Sequence, residues 1–242
     1  MKKTVKKCLL TCLVFVFVMA INVPVFAKTS KVVMPKSIKE SAVNEDGELS
    51  PYNATEYSIS YDKNGRIKKI SALSKATDGT WTYTISYKKS GKNTKATIKY
   101  DPSWGEDPEI FTYKFNSKGR LISNNKSSQW VWDTDESNDP VLYSEGNYVA
   151  FFDKNAKIDM YYKSYNGKIT SVSFYEYNKQ KLTDKVSIYL DKGVDIESVT
   201  EELLENAEQS FYKYTVKTSK VSMTDAVKWM NSVMLLDFIY RD

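Results

Sequence analysis

For chemistry, this 242-residue sequence offers 30 carboxylates, 35 lysines and arginines and many aromatic rings, but not one histidine. Its only cysteines, Cys8 and Cys12, lie inside an apolar N-terminal run. The commonest general base and zinc ligand is therefore missing, and thiol chemistry goes too once that run is removed. No glycine-rich phosphate loop, nucleophile elbow or metalloprotease helix motif occurs. An enzyme made from the remainder would be a carboxylate-dependent glycan-active hydrolase, with a protonated acid facing a base or nucleophile across a cleft. No spacing singles out such a pair, since most acids fall in loops or on one helical face. The residues favour a non-enzymatic binding or surface-interaction module, with the hydrolase as the alternative.

One acidic stretch, DTDESNDP from Asp133, sets Asp133, Asp135, Ser137 and Asp139 at alternate positions, as in the front half of a calcium loop. Its sixth position is Asn138 where such loops need glycine, and its twelfth is Ser144, with Glu145 one place late. Those defects favour a solvated acidic hairpin loop. Calcium is the cation that the stretch would take, and no other cofactor is implied.

The chain carries 18 Tyr and 5 Trp, and flat rings exposed on a sheet can stack on sugars or anchor a protein. Trp130 and Trp132 share one side of a strand, and Trp104 sits in a proline-flanked loop with no period that would bury it; these three are the candidate binding residues. Trp81 and Trp229 occupy inward positions and read as core. The basic segment YKKSGKNTKATIK from Tyr87 could meet anionic wall polymers, although solvated hairpin lysines are the favoured reading. Nucleic acid is not an expected partner outside the cell. A cell-surface glycan, a wall polymer or another protein is.

The elements that must position these residues follow from period and punctuation. Residues 1–27 read as a signal peptide: Lys2, Lys3, Lys6 and Lys7, then an apolar run, then Val25 and Ala27 at the positions read by signal peptidase. Asn22 and Pro24 interrupt the run before it reaches the about 20 residues of a membrane span, so cleavage near Ala27, secretion and no retained anchor are expected. Without those four lysines, 31 bases face 30 acids, a net charge of +1. The charge is polarised along the chain: Tyr57 to Lys126 holds 14 bases and 6 acids, whereas Asp195 to Gln209 holds 6 acids and no base.

Residues 28–53 read as a flexible leader. From Tyr57 the period is two: Tyr57, Ile59 and Tyr61 alternate with serines, Trp81, Tyr83 and Ile85 with threonines. Gly- and Asn-containing links fall between the runs. This predicts a mainly β, antiparallel meander of roughly nine to eleven strands between Tyr57 and Asp191. Ile196, Val199, Leu203, Ala207 and Phe211 recur at helical spacing, and SMTD at Ser222 resembles a helix N-cap. The reading is one β-rich domain over 54–242, with hairpins over 54–193 and C-terminal helices over 194–242 docked on the sheet. VMLLDFIY fits either a helix or a strand.

One motif recurs. YDKNGRI from Tyr61 reappears as FNSKGRL at Phe115 and FDKNAKI at Phe152, with a shorter relative, YNGKI, at Tyr165. The pattern Tyr-Asp-x-x-Gly-Arg-Ile resembles the hairpin unit of YD-repeat proteins of the Rhs and teneurin type. Tyr61, Asp62, Gly65, Arg66 and Ile67 match it in full; Phe115, Asn116, Gly119, Arg120 and Leu121 match with conservative changes; Ala156 stands where the third copy would have glycine. The resemblance implies an extracellular β-hairpin array and no enzyme. Each residue also has a local purpose: the ring packs across strands, the Asp or Asn accepts turn amides, and the glycine supplies positive φ.

Overall fold

The structure, a computed structural model, describes residues 28–44, 46–125, 130–134, 140–144, 148–195 and 198–240. The proposed signal peptide, and Asp135, Ser137 and Asp139 of the acidic stretch, lie outside them. Fourteen strands form one antiparallel sheet: β1 (Ser30–Val43), β2 (Leu49–Tyr61), β3 (Ile67–Ser74), β4 (Thr80–Ser90), β5 (Asn93–Pro102), β6 (Glu109–Phe115), β7 (Leu121–Asn124), β8 (Trp130–Thr134), β9 (Pro140–Ser144), β10 (Tyr148–Phe152), β11 (Ile158–Tyr165), β12 (Lys168–Asn178), β13 (Lys181–Val194) and β14 (Glu208–Met223). Strands that follow one another pair throughout except β7 with β8, and β14 also pairs with β1, so the open edges fall mid-chain at β7 and β8. The sheet curls into a nearly closed barrel with its seam there.

The antiparallel β class is as expected, but the sheet is larger than the sequence period indicated. Residues 28–53, read as a leader, supply β1 and the start of β2. β1 pairs with β14 from Ser30↔Met223 to Ala42↔Tyr212. Its alternation is masked because a bulge between Pro35 and Ser37 shifts the register, leaving Lys36 exposed between buried Met34 and Ile38 where strict alternation would turn it inward. The helix expected over 196–211 is only α1 (Glu201–Glu205). From Glu208 the chain is strand, with Tyr214 inward and Lys213 and Thr215 outward. Val199, Leu203, Leu204 and Ala207 instead cover a small second core of Ile169, Val172 and Leu190.

The second helix, α2 (Asp225–Leu235), continues as a π-helical turn over Leu236–Tyr240 and fills the barrel. Its rings meet the wall on three sides. Trp229 lies 5.7 Å from Trp132 on β8 and 5.9 Å from Phe152 on β10. Phe238 stacks on Tyr83 of β4 at 4.4 Å and on Tyr113 of β6 at 6.1 Å. Tyr240 meets Tyr175 of β12 and Tyr214 of β14. A helix surrounded by core is apolar all round, which explains why VMLLDFIY shows no clear stripe. Outside, strands present Ser58, Ser60, Thr84, Ser86, Lys95, Lys99 and Lys213. The interior is lined by rings and aliphatic side chains, and the outer face mixes these polar residues with exposed apolar ones such as Ile110 and Phe211.

Asn231 is the one buried amide on α2. Its side chain accepts from the Ile67 amide (3.0 Å) and donates to the Gly65 carbonyl (2.8 Å), tying α2 to the β2–β3 turn. Asn231→Leu would leave both backbone groups buried without partners, so we expect a loss of about 2–3 kcal/mol, read as a lower urea midpoint with unchanged m-value.

Candidate binding surfaces at the two ends of the barrel

Antiparallel strands place alternate connections at opposite ends. The end where β14 hands over to α2 receives the turns DKNGR (62–66), KKSGK (88–92), NSKGR (116–120), DKNAK (153–157) and NKQK (178–181). The other end receives Asp46 and Glu48 between β1 and β2, DPSWGEDPE (101–109) around the β5–β6 link, and Asp195, Glu201, Glu202 and Glu205 before β14. Only Lys75 and Lys168 offset these acids among the described residues of those links. Among the described residues, the barrel is therefore basic at its helix-entry end and acidic at the other. Residues 135–139, DESND by sequence, connect β8 to β9, lie outside the described residues and are not part of this balance.

Three turns at the basic end share one hydrogen-bonding scheme. Asp62 Oδ1 accepts from the amides of Asn64 (2.9 Å) and Arg66 (3.0 Å). Asn116 Oδ1 does the same for Lys118 and Arg120, and Asp153 Oδ1 for Asn155 and Lys157. The fourth residue of each has positive φ: Gly65 at 79°, Gly119 at 78° and Ala156 at 62°. The fourth sequence relative, YNGKI, is a different turn at the opposite end, with positive φ at both Asn166 and Gly167. Conversely, the Asn44–Glu48 turn repeats the same backbone bonds, Gly47 N–H to Asn44 O and Asn44 N–H to Glu48 O. NEDGE follows Val43 and lacks the flanking ring, so the turn recurs there without the sequence motif. Asp62→Ala removes the oxygen that accepts from two amides and the ion pair to Arg66 (2.6 Å); we expect a loss of about 2 kcal/mol, measurable by chemical denaturation.

A groove of about 880 Å³ opens between these turns and the start of α2. Lys63 and Arg66 come from the β2–β3 turn, Lys89 and Lys92 from β4–β5, Asn116 from β6–β7, and Thr224 caps α2. Arg66 is held in place by Asp62 and by Tyr87, whose ring lies 4.4 Å below the guanidinium. The groove lining contains no acidic and no aromatic residue.

The sequence-picked tryptophans separate. Trp104 sits in the acidic end's β5–β6 link, 50% exposed, its ring 6.2 Å from Trp81. The loop is pinned because the Ser103 amide donates to the Thr80 carbonyl and Ser103 and Thr80 hydroxyls lie 2.6 Å apart. Trp132 faces inward and packs on Phe152 and Trp229, so it offers no outer face. Arg120 lies over both Trp132 (4.3 Å) and Trp229 (3.4 Å), bridging the seam from β7 to β8; burial pulls its pKa down to about 10. The Trp130 backbone pairs with Ser144; its side chain lies outside the description. Asp133 is exposed, and no metal-holding group of three or more His, Cys, Asp or Glu occurs among the described residues.

Sequence reasoning also missed a buried cation. Lys185 on β13 is 2% exposed, its Nζ 3.8 Å from Glu40 on β1 and 4.3 Å from the Tyr212 ring centre. The Tyr214 hydroxyl also donates to Glu40. The pair links the first strand to the penultimate one across β14, a staple at the closure of the sheet. In sequence Lys185 looks like any strand lysine, since DKVSIYL alternates normally.

No family model matches the sequence, and no curated protein does. Among solved structures, a porin-like protein from Bacteroides uniformis ATCC 8492 aligns over 76% of this chain and 98% of its own, at 9% identity and a TM-score of 0.34. So low a score carries no functional argument. Among the described residues, no helix is long and apolar enough to cross a membrane.

Proposed function

We propose that the protein is a secreted, non-enzymatic binding module that acts outside the cell, on a surface glycan, wall polymer or protein. The observation that carries this reading is the separation of charge, among the described residues, between the two ends of a barrel whose interior is filled by its own C-terminal helix. A filled interior leaves the ends and the outer wall as the working surfaces. The groove between the turns is lined by bases, where glycoside hydrolysis would need two facing carboxyl groups. The shared scheme of the three turns supports the likeness to YD-repeat hairpins, with the hairpins as scaffold and their tips as contact points. The reading is tested with the 28–242 protein in pull-downs against cell-wall fractions, surface glycans and secreted proteins. Saturable retention on one of these is expected; no retention on any, or turnover of a polysaccharide, overturns it.

A further inference from the structure

We infer that the basic groove at the helix-entry end binds an extended linear phosphate polymer that carries no nucleobases. This assignment deepens the binding-module reading and rests on it. The groove's cations come from two turns separated in sequence, which the adjacent β2–β3 and β4–β5 hairpins bring to the same rim. Lys63, Lys89 and Lys92 make no ion pair among the described residues, and no carboxylate lines the groove to neutralise them. Arg66 is already committed to Asp62 and Tyr87, so it fixes the floor while the three lysines supply mobile charge. Asn116 and Thr224 add polar partners for phosphate oxygens, and the N-terminal end of α2 adds a favourable dipole. The track does not stop at the groove, since Lys118 lies exposed on the neighbouring β6–β7 turn. Bases spread over several hairpin tips suit a chain of regularly spaced charges better than a single anion.

The lining also discriminates among polyanions. A bilayer surface would be met by exposed apolar side chains, yet none of the large exposed ones, such as Tyr52, Trp104, Ile110 or Tyr165, lines the groove. Single-stranded nucleic acid is held by rings on which bases stack, and the groove has none.

The test uses the 28–242 protein and long-chain sodium polyphosphate, titrated at roughly 50 and 200 mM salt. Three to four neutralised phosphates predict a salt slope of about −2 to −3 in log K against log salt. Lys63→Gln/Lys89→Gln/Lys92→Gln should weaken binding about tenfold or more and reduce the slope by about 2. Lys75→Gln/Lys168→Gln/Lys217→Gln, which removes equal charge elsewhere, should retain most of the affinity. Equal losses in the two variants, or binding that ignores salt, overturn the assignment. So does tighter binding to polyglutamate, to single-stranded DNA or to phosphatidylglycerol vesicles than to polyphosphate. Retention on wall material without polyphosphate binding overturns this assignment and leaves the binding-module reading standing. Loss of both overturns the two together.

Discussion

The protein should unfold cooperatively in alkali within about one to two pH units above the ordinary tyrosine pKa of about 10. Five tyrosines, Tyr61, Tyr87, Tyr177, Tyr214 and Tyr240, have pKa values held above the ordinary value, in each case chiefly by burial. Glu40 adds to the effect at Tyr214 and Tyr240, while Arg66 opposes it at Tyr87. Several of these hydroxyls are committed donors: Tyr61 to the Pro35 carbonyl (2.7 Å), Tyr87 to that of Ile67 (2.8 Å) and Tyr214 to Glu40. Ionisation would destroy each bond and bury a charge.

The linkage has a definite sign. A folded-state pKa raised above the unfolded value gives stability that is complete below pH 10 and lost as pH rises toward the folded pKa. One unit above 10, each unfolded tyrosine gains about 1.4 kcal/mol from ionising, while its folded counterpart gains almost nothing. Five together approach about 7 kcal/mol, against a typical total stability of roughly 5–15 kcal/mol. Circular dichroism and a late, steep component of the tyrosinate absorbance, that of the buried rings, should therefore change together as pH is raised. Gradual tyrosinate formation with the sheet intact up to about pH 12 would show that these hydroxyls are not sealed in the core.

Gly119→Ala should be the most damaging small substitution. Gly119 has φ of 78° and sits against α2, so an added Cβ would overlap the carbonyl of Ala226. Two costs combine. The left-handed conformation penalises any side chain by about 1–2 kcal/mol, and the helix start must then move away from the β6–β7 turn. That movement disturbs Trp229, three residues on, and its contacts with Trp132, Phe152 and Arg120. We expect a loss of about 4 kcal/mol or more, enough to leave much of the protein unfolded. Gly91→Ala is the matched control. Its φ is also positive, 59°, but nothing lies within 4 Å of the added Cβ, so it should lose only about 1 kcal/mol. Similar urea midpoints for the two variants would refute the claim that this turn is seated on the helix backbone.

The turns were the most legible part of the fold. Asp62, Asn116 and Asp153 do what their residue types suggest, because an Asx side chain binding amides two and four residues on needs nothing outside its own turn. Ala156 shows the limit, since it takes the same conformation without being glycine. β1 was not legible: Pro35 and a run of lysines and serines hide a central strand that only its pairing with β14 makes intelligible. The 196–211 stripe was misread for the opposite reason. Its apolar residues are real but serve two surfaces, the outer core under α1 and the strand β14. Of the candidate site residues, Trp104 keeps an exposed ring, Trp132 is taken into the core, and the lysines of the β4–β5 turn acquire weight only from their neighbours.

Several properties come from the sequence by itself. The absence of histidine, and of cysteine beyond Cys12, limits the chemistry; period two gives antiparallel β; local turn residues place the hairpins. These depend on groups within a few residues of one another, so no tertiary information is needed. Only the tertiary structure decided which turns share an end, that β14 closes against β1, and that α2 lies within the barrel rather than on it. Those depend on strand count, on register and on what an inward-facing wall of rings must be filled with. The same lysines that look scattered along the chain become one basic surface because every second connection of a meander returns to the same end.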